Sequence, residues 1–156
     1  LYNSLLYINR NNAETKRYQE EGLKLLSGKV DSLPSKIAFR PKFIKQSSCI
    51  KVFDKLYLFI SKANIKKPLE ERFDALFHEI GHWLHFQNIP PLKECREIWK
   101  TANLEKIKED VSEYAVKKDD GREFVAEVFK GLIKGKKYDE YIMNLYKRLH
   151  GPVPHD

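Results

Sequence analysis

The chain of 156 residues contains only two cysteines, Cys49 and Cys95, a single methionine, and no run of about 18 apolar residues. Two cysteines cannot staple a disulfide-rich secreted scaffold, and they read as two unreactive thiols ahead of a single bridge. Without a long apolar run nothing spans a membrane, and no charged start, apolar middle and small-residue cleavage site marks a signal peptide. The chain starts at Leu1 rather than at methionine, which points to an excised domain or a processed product, so the lack of a targeting segment leaves the compartment open. No internal repeat and no long linker occur, which argues for one domain over residues 1–156. The apolar fraction of 42%, with 12% aromatics, is enough to bury a core and excludes wholesale disorder.

Charge, by contrast, is abundant: 29 Lys and Arg stand against 22 Asp and Glu, a formal net charge of +7. The excess is uneven. Residues 1–70 carry 14 basic and 6 acidic side chains, whereas residues 71–156 carry 15 and 16. A basic half invites a nucleic-acid reading, but no recognition motif accompanies it, and solvated lysines are the usual source of such a bias.

Residues 11–27 place Tyr18, Leu23, Leu25 and Leu26 among Glu and Lys and predict a surface helix that Gly28 stops. Between residues 36 and 61 the character changes to short β-rich runs: Ile37-Ala38-Phe39, Ile50-Lys51-Val52-Phe53 and Leu56-Tyr57-Leu58-Phe59-Ile60. The last two, separated by Asp54-Lys55, read as a hairpin. From Pro68 the pattern is helical, with a helix over 69–87 ended by Pro90-Pro91, a second over 121–134 and a closing helix over 136–149. This order reads as α+β: a short antiparallel or mixed sheet packed on the helix over 69–87, followed by a C-terminal helical part.

The chemistry concentrates in His78-Glu79-Ile80-Gly81-His82. Phe73, Leu76, Phe77, Ile80 and Leu84 recur at helical spacing, so most of this helix is buried, and His78 and His82 stand about 40° apart on the neighbouring stripe. Two imidazoles on one rigid element suit a tetrahedral Zn²⁺, and Glu79 projects beside the ion, placed to take a proton from water. His-Glu-x-x-His is the zinc-peptidase signature. Gly81 inside the helix costs about 1 kcal/mol relative to Ala, which indicates a close neighbour at that turn.

A third ligand is needed. Position 88 is Asn, which excludes the metzincin arrangement with a third histidine ten residues after His78. His85 lies too far along a straight helix to close around the same ion and reads as an accessory or exposed histidine. In Arg122-Glu123-Phe124-Val125-Ala126-Glu127-Val128-Phe129, two carboxylates stand four apart beside an apolar face, and Ala126 between them leaves room for a helix to approach. One carboxylate can reach the metal while the other accepts the spare ring N–H of a ligand histidine. Glu123 is favoured for the metal and Glu127 for the histidine, although spacing alone leaves the pair interchangeable. Tyr114, leading into that helix, can hydrogen-bond an oxyanion at the open face of the metal or simply pack.

Taken together, His78 to His82, Ser112-Glu113-Tyr114-Ala115 and Glu123 to Phe129 resemble the catalytic domain of the anthrax lethal factor type. That group of gluzincin-like metallopeptidases includes clostridial Pro-Pro endopeptidases and domains at the ends of phage head morphogenesis proteins. The resemblance implies a zincin-like domain of a bacterial, phage or secreted protein, with His78, His82 and Glu123 as zinc ligands, Glu79 as general base, Tyr114 as oxyanion stabiliser and Glu127 behind a ligand histidine. The expected activity is zinc-dependent hydrolysis of a protein or peptide, with the run Leu56 to Ile60 as the strand onto which an extended substrate adds. The rival expectations are a zinc-stabilised interaction or virion module without proteolysis and, less favoured, a nucleic-acid binder. If the basic first half borders the cleft, its charge predicts a substrate with acidic flanks.

Overall fold

The computed structural model describes residues 12–156. Helix α1 (Ala13–Leu26) begins where Asn12 accepts the Thr15 N–H and Thr15 Oγ accepts the Asn12 N–H, both at 2.9 Å, and it ends before Gly28, which adopts φ +80°. The first position of the expected helix, residue 11, lies outside the described residues. Tyr18, Gly22 and Leu26 form the buried face. Gly22 has to be small, because a Cβ there would sit 2.3 Å from Leu76 Cδ2.

Three strands follow: β1 (Ala38–Arg40), β2 (Ser48–Val52) and β3 (Lys55–Ser61). The expected hairpin is present, with β2 antiparallel to β3 and Val52 opposite Lys55, so that Phe53 and Asp54 make the turn. Strand β1 pairs parallel to β3, giving a mixed sheet in the order β1-β3-β2. The run Leu56 to Ile60 is therefore in the middle strand, with β2 paired to Lys55–Phe59 and β1 to Phe59–Ser61, so neither of its sides is open along the whole run. That corrects the expected substrate strand: among the described residues, the edge on the hairpin side belongs to β2.

Helix α2 (Asp74–Phe86) starts five residues later than the expected 69. Leu69 is 69% exposed, and the Arg72 carbonyl, which a continuous helix would use internally, accepts the Tyr18 hydroxyl at 2.7 Å. Pro91 opens α3 (Leu92–Lys100), Asn103 caps α4 (Leu104–Asp110), and a short 3₁₀ turn (Tyr114–Val116) leads to α5 (Arg122–Ile133). The last helix, α6 (Glu140–Arg148), is shorter than the expected 136–149. The Lys136 N–H closes the end of α5 on the Gly131 carbonyl at 2.8 Å, and Asp139 caps α6 by accepting the Ile142 N–H at 3.0 Å. Six α-helices and this small sheet make an α+β architecture among the described residues, and none of the helices is long and apolar enough to cross a membrane.

Two apolar clusters form. One joins α1, the sheet and α2 through Tyr18, Leu26, Phe39, Leu58, Ile60, Leu76 and Ile80. The other joins α3 to α6 through Cys95, Trp99, Ile107, Val125, Ile142 and Tyr146. Helix α5 belongs to both, giving Phe129 to the first and Phe124, Val125 and Val128 to the second. Both cysteines are free thiols, Cys95 buried and Cys49 on β2.

Candidate metal centre

Helices α2 and α5 cross where their side chains are smallest. A Cβ on Gly81 would lie 3.2 Å from Ala126 Cα and 3.2 Å from Phe129 Cβ, so the glycine and the alanine together set how closely the helices approach. His78, Glu79 and His82 lie on one side of this crossing and Glu123 and Glu127 on the other. One ligand atom from each of the buried His78, Glu79 and His82 lies within 4.8 Å of the others. From the facing helix Glu123 meets both imidazoles, Oε2 at 3.0 Å from His78 Nε2 and Oε1 at 3.1 Å from His82 Nε2. Glu127 takes the opposite nitrogen of His78, with Oε2 2.8 Å from Nδ1. Glu123 therefore faces the nitrogens that both histidines turn into the site, and Glu127 stands behind His78.

The electrostatics follow from this packing. Burial alone would lower the His78 pKa, but hydrogen bonds to Glu123 and Glu127 outweigh it and raise the value to about 9. Burial works against the charge on Glu127 too, yet its bonds with His78 and Lys130 hold its pKa down at about 2. Glu123 is likewise held well below the usual carboxylate range by both histidines against the effect of burial. Glu79 behaves oppositely: it is 6% exposed, and burial raises its pKa despite the histidines beside it. Its Oε2 has no hydrogen-bond partner, and neither has His82 Nδ1.

Tyr114 is 46% exposed, with its ring 5.5 Å from that of His78. Burial, then the carboxylates Glu123, Glu79 and Glu127, push its hydroxyl pKa up. Three further residues, to which the sequence reading gave no role, contribute. Ser112 Oγ donates to Glu127 Oε1 at 2.9 Å, Lys130 Nζ approaches Glu127 Oε2 at 2.9 Å, and the buried Arg40, which reaches Gln46 O and Ser48 Oγ at 2.8 Å, exerts its charge on Glu79. His85 is neither exposed nor close enough to be a ligand: it is fully buried, with Nε2 2.7 Å from the Leu149 carbonyl.

A cleft of about 390 Å³ opens onto these groups, bounded by Gln46 to Cys49, by Glu79, His82 and Phe86, and by Tyr114, Lys117, Lys118, Arg122 and Glu123. The basic side chains at this cleft come from the second half of the chain. The first half contributes only uncharged residues, so its surplus of lysine does not line the site as expected. A cavity of about 480 Å³ between the C-terminal segment and residues 30–32 contains no comparable set of ligand atoms among the described residues.

Two imidazole nitrogens and a carboxylate converging from two helices, beside a buried carboxylate with an unpartnered oxygen and an open polar cleft, fit a metal ion. The chain matches no protein-family model, no curated protein and no solved structure.

Proposed function

We propose that this chain is a zinc metalloendopeptidase with a zincin-like domain of the lethal factor type. The observation that carries the reading is the convergence of His78 Nε2 and His82 Nε2 on the two oxygens of Glu123, with Glu127 on the remaining nitrogen of His78. His78, His82 and Glu123 would hold the ion, a donor set that suits zinc and leaves the cleft side open. Bound there, Zn²⁺ supplies Lewis acidity, polarising a peptide carbonyl and acidifying a water.

The protein's own groups do the rest. Glu79, whose basicity burial raises, takes a proton from water and returns it to the leaving nitrogen. Tyr114, held in its protonated form, donates to the oxyanion that develops on the carbonyl. Glu127 accepts the His78 Nδ1–H and thereby fixes the tautomer that turns Nε2 into the site, while Ser112 and Lys130 hold Glu127 in place. The outer edge of β2, whose Ser48 and Cys49 border the cleft, is available for an extended peptide to pair with.

The test is Glu79→Gln. It should retain one zinc per chain and lose chelator-sensitive cleavage of a peptide library by at least about 100-fold. Full turnover in that variant sinks the mechanism. Metal-dependent melting with no cleavage by the unaltered protein assigns a metal-stabilised binding module instead.

A further inference from the structure

The cationic side chains that line the cleft come from one segment of the chain, residues 117–122, while Arg40 is buried behind the β2 side. Opposite the uncharged Gln46 to Cys49 of the β2 side stand Lys117, Lys118 and Arg122. Arg122 is already neutralised, with Nε and Nη2 both 2.9 Å from Asp120 Oδ2, and Asp120 is itself buried. The cleft carboxylates Glu79 and Glu123 are occupied with the histidines. Lys117 lies with Nζ 5.0 Å from the centre of the Tyr114 ring and has no carboxylate partner, and Lys118 makes neither an ion pair nor a hydrogen bond among the described residues. Two ammonium groups therefore face the cleft without a counter-charge.

The distance of Lys117 from the reacting centre is bounded. The Tyr114 ring is 5.5 Å from the His78 ring and 5.0 Å from Lys117 Nζ. The ammonium is thus within about three residues of extended chain from the metal ligands, at about 3.3 Å per residue. A peptide paired along β2 turns alternate side chains toward the opposite wall.

Building on the peptidase reading, we propose that Lys117 and Lys118 bind a carboxylate of the substrate lying within about three residues of the cleaved bond. The carboxylate has two sources: an Asp or Glu side chain, which makes the enzyme selective for acidic sequences, or a free C-terminus, which makes it release short C-terminal fragments. Either group exchanges water for a pair of flexible, solvated ammonium ions, so the preference is modest and sensitive to salt.

The experiment uses two panels of quenched fluorogenic peptides. In one, with amidated ends, Asp or its isosteric Asn is moved through each position around the cleaved bond. In the other, a neutral peptide ends, free or amidated, at successive distances beyond it. Each panel is read twice: as kcat/KM with zinc-loaded protein, and as binding anisotropy with zinc-loaded Glu79→Gln protein, which needs no turnover. Carboxylate should be preferred over amide by about fivefold at one position or one chain end, with the preference shrinking as salt rises. The ratio should fall to about one in Lys117→Ala/Lys118→Ala, survive in Lys118→Arg and invert in favour of the amide in Lys118→Glu. Equal values for carboxylate and amide at every position in both readouts overturn the proposal. Cleavage without any charge preference leaves the peptidase reading standing and removes the carboxylate site. Lysine-dependent preference in binding by a protein that cleaves nothing keeps the site and removes the peptidase reading.

Discussion

His78 and His85, two turns apart on one helix, have acid–base behaviour shifted in opposite directions. Both of the ring nitrogens of His78 meet carboxylates, which favour the protonated ring against burial and raise its pKa to about 9. His85 has only the Leu149 carbonyl, and burial lowers its pKa to about 4. In the unfolded chain His85 titrates at its ordinary 6.5. Its contribution to stability is therefore complete above pH 6.5 and drains away as pH falls toward 4, because the unfolded chain takes up the proton first. His85→Gln retains a donor for the Leu149 carbonyl but cannot titrate. Thermal melting followed from pH 6.5 down to 4 should then show a shallower loss of stability than the unaltered protein. An equal slope would show that other groups carry the acid sensitivity. Phe53 stores strain of a different kind. It is 94% exposed at the hairpin turn with φ +53°, while Asp54 beside it has no positive φ, the pattern of a II′ turn in which glycine normally takes the first central position. Phe53→Gly should raise the denaturant midpoint by the equivalent of about 1 kcal/mol, since the side chain has little burial to lose.

Between elements, the crossing of α2 and α5 governs the site. Gly81→Ala removes a helix penalty of about 1 kcal/mol, but the new methyl meets Ala126 Cα and Phe129 at 3.2 Å. The helices must separate by a few tenths of an ångström, which pulls His82 and Glu123 out of register. Overall stability should change little while zinc affinity, measured against a competing chelator, falls about tenfold. Unchanged affinity would mean that the crossing distance does not set the metal geometry. The same crossing explains what could be read beforehand. Gly81 inside an apolar helix and Ala126 between two glutamates announced a close approach, and the four-residue spacings of His78 with His82 and Glu123 with Glu127 put each pair on one helix face. The starts of α2 and α6 were not legible, since tertiary bonds set them: the Tyr18 hydroxyl occupies the Arg72 carbonyl before α2, and the Lys136 N–H is spent on Gly131 before α6. Strand order was hidden as well. The two-residue break identified β2 and β3 as neighbours, but nothing local says that β1 pairs parallel on the far side of β3. Arg40 and Ser112 support the centre from two separate segments, and no spacing rule links them to it, whereas Lys130 follows Glu127 at the i, i+3 spacing of one helix.

For the whole molecule, the candidate metal centre lies where the two apolar clusters meet. Helix α2 belongs to the first cluster and supplies His78 and His82, while α5 spans both and supplies Glu123. An ion bound by these three side chains would tie the sheet-bearing part to the helical part at the crossing of α2 and α5, and it would bind the folded chain far better than the unfolded one, in which His78 and Glu123 are 45 residues apart along the chain. Mass action then adds about 2.7 kcal/mol of stability when free zinc is about 100 times its dissociation constant. Chelation should lower the melting temperature by several degrees, as expected for a chain of this size, and re-addition of zinc should restore it. On the roles proposed above, in which Glu79 moves protons and does not hold the ion, Glu79→Gln should keep this metal-dependent shift in full. His78→Ala should lose it, and Glu127→Gln should weaken it by releasing the His78 tautomer. A melting temperature indifferent to chelator in the unaltered protein, or an equal shift in His78→Ala, would mean that the convergence of α2 and α5 is held by side-chain packing and direct histidine–carboxylate bonds alone.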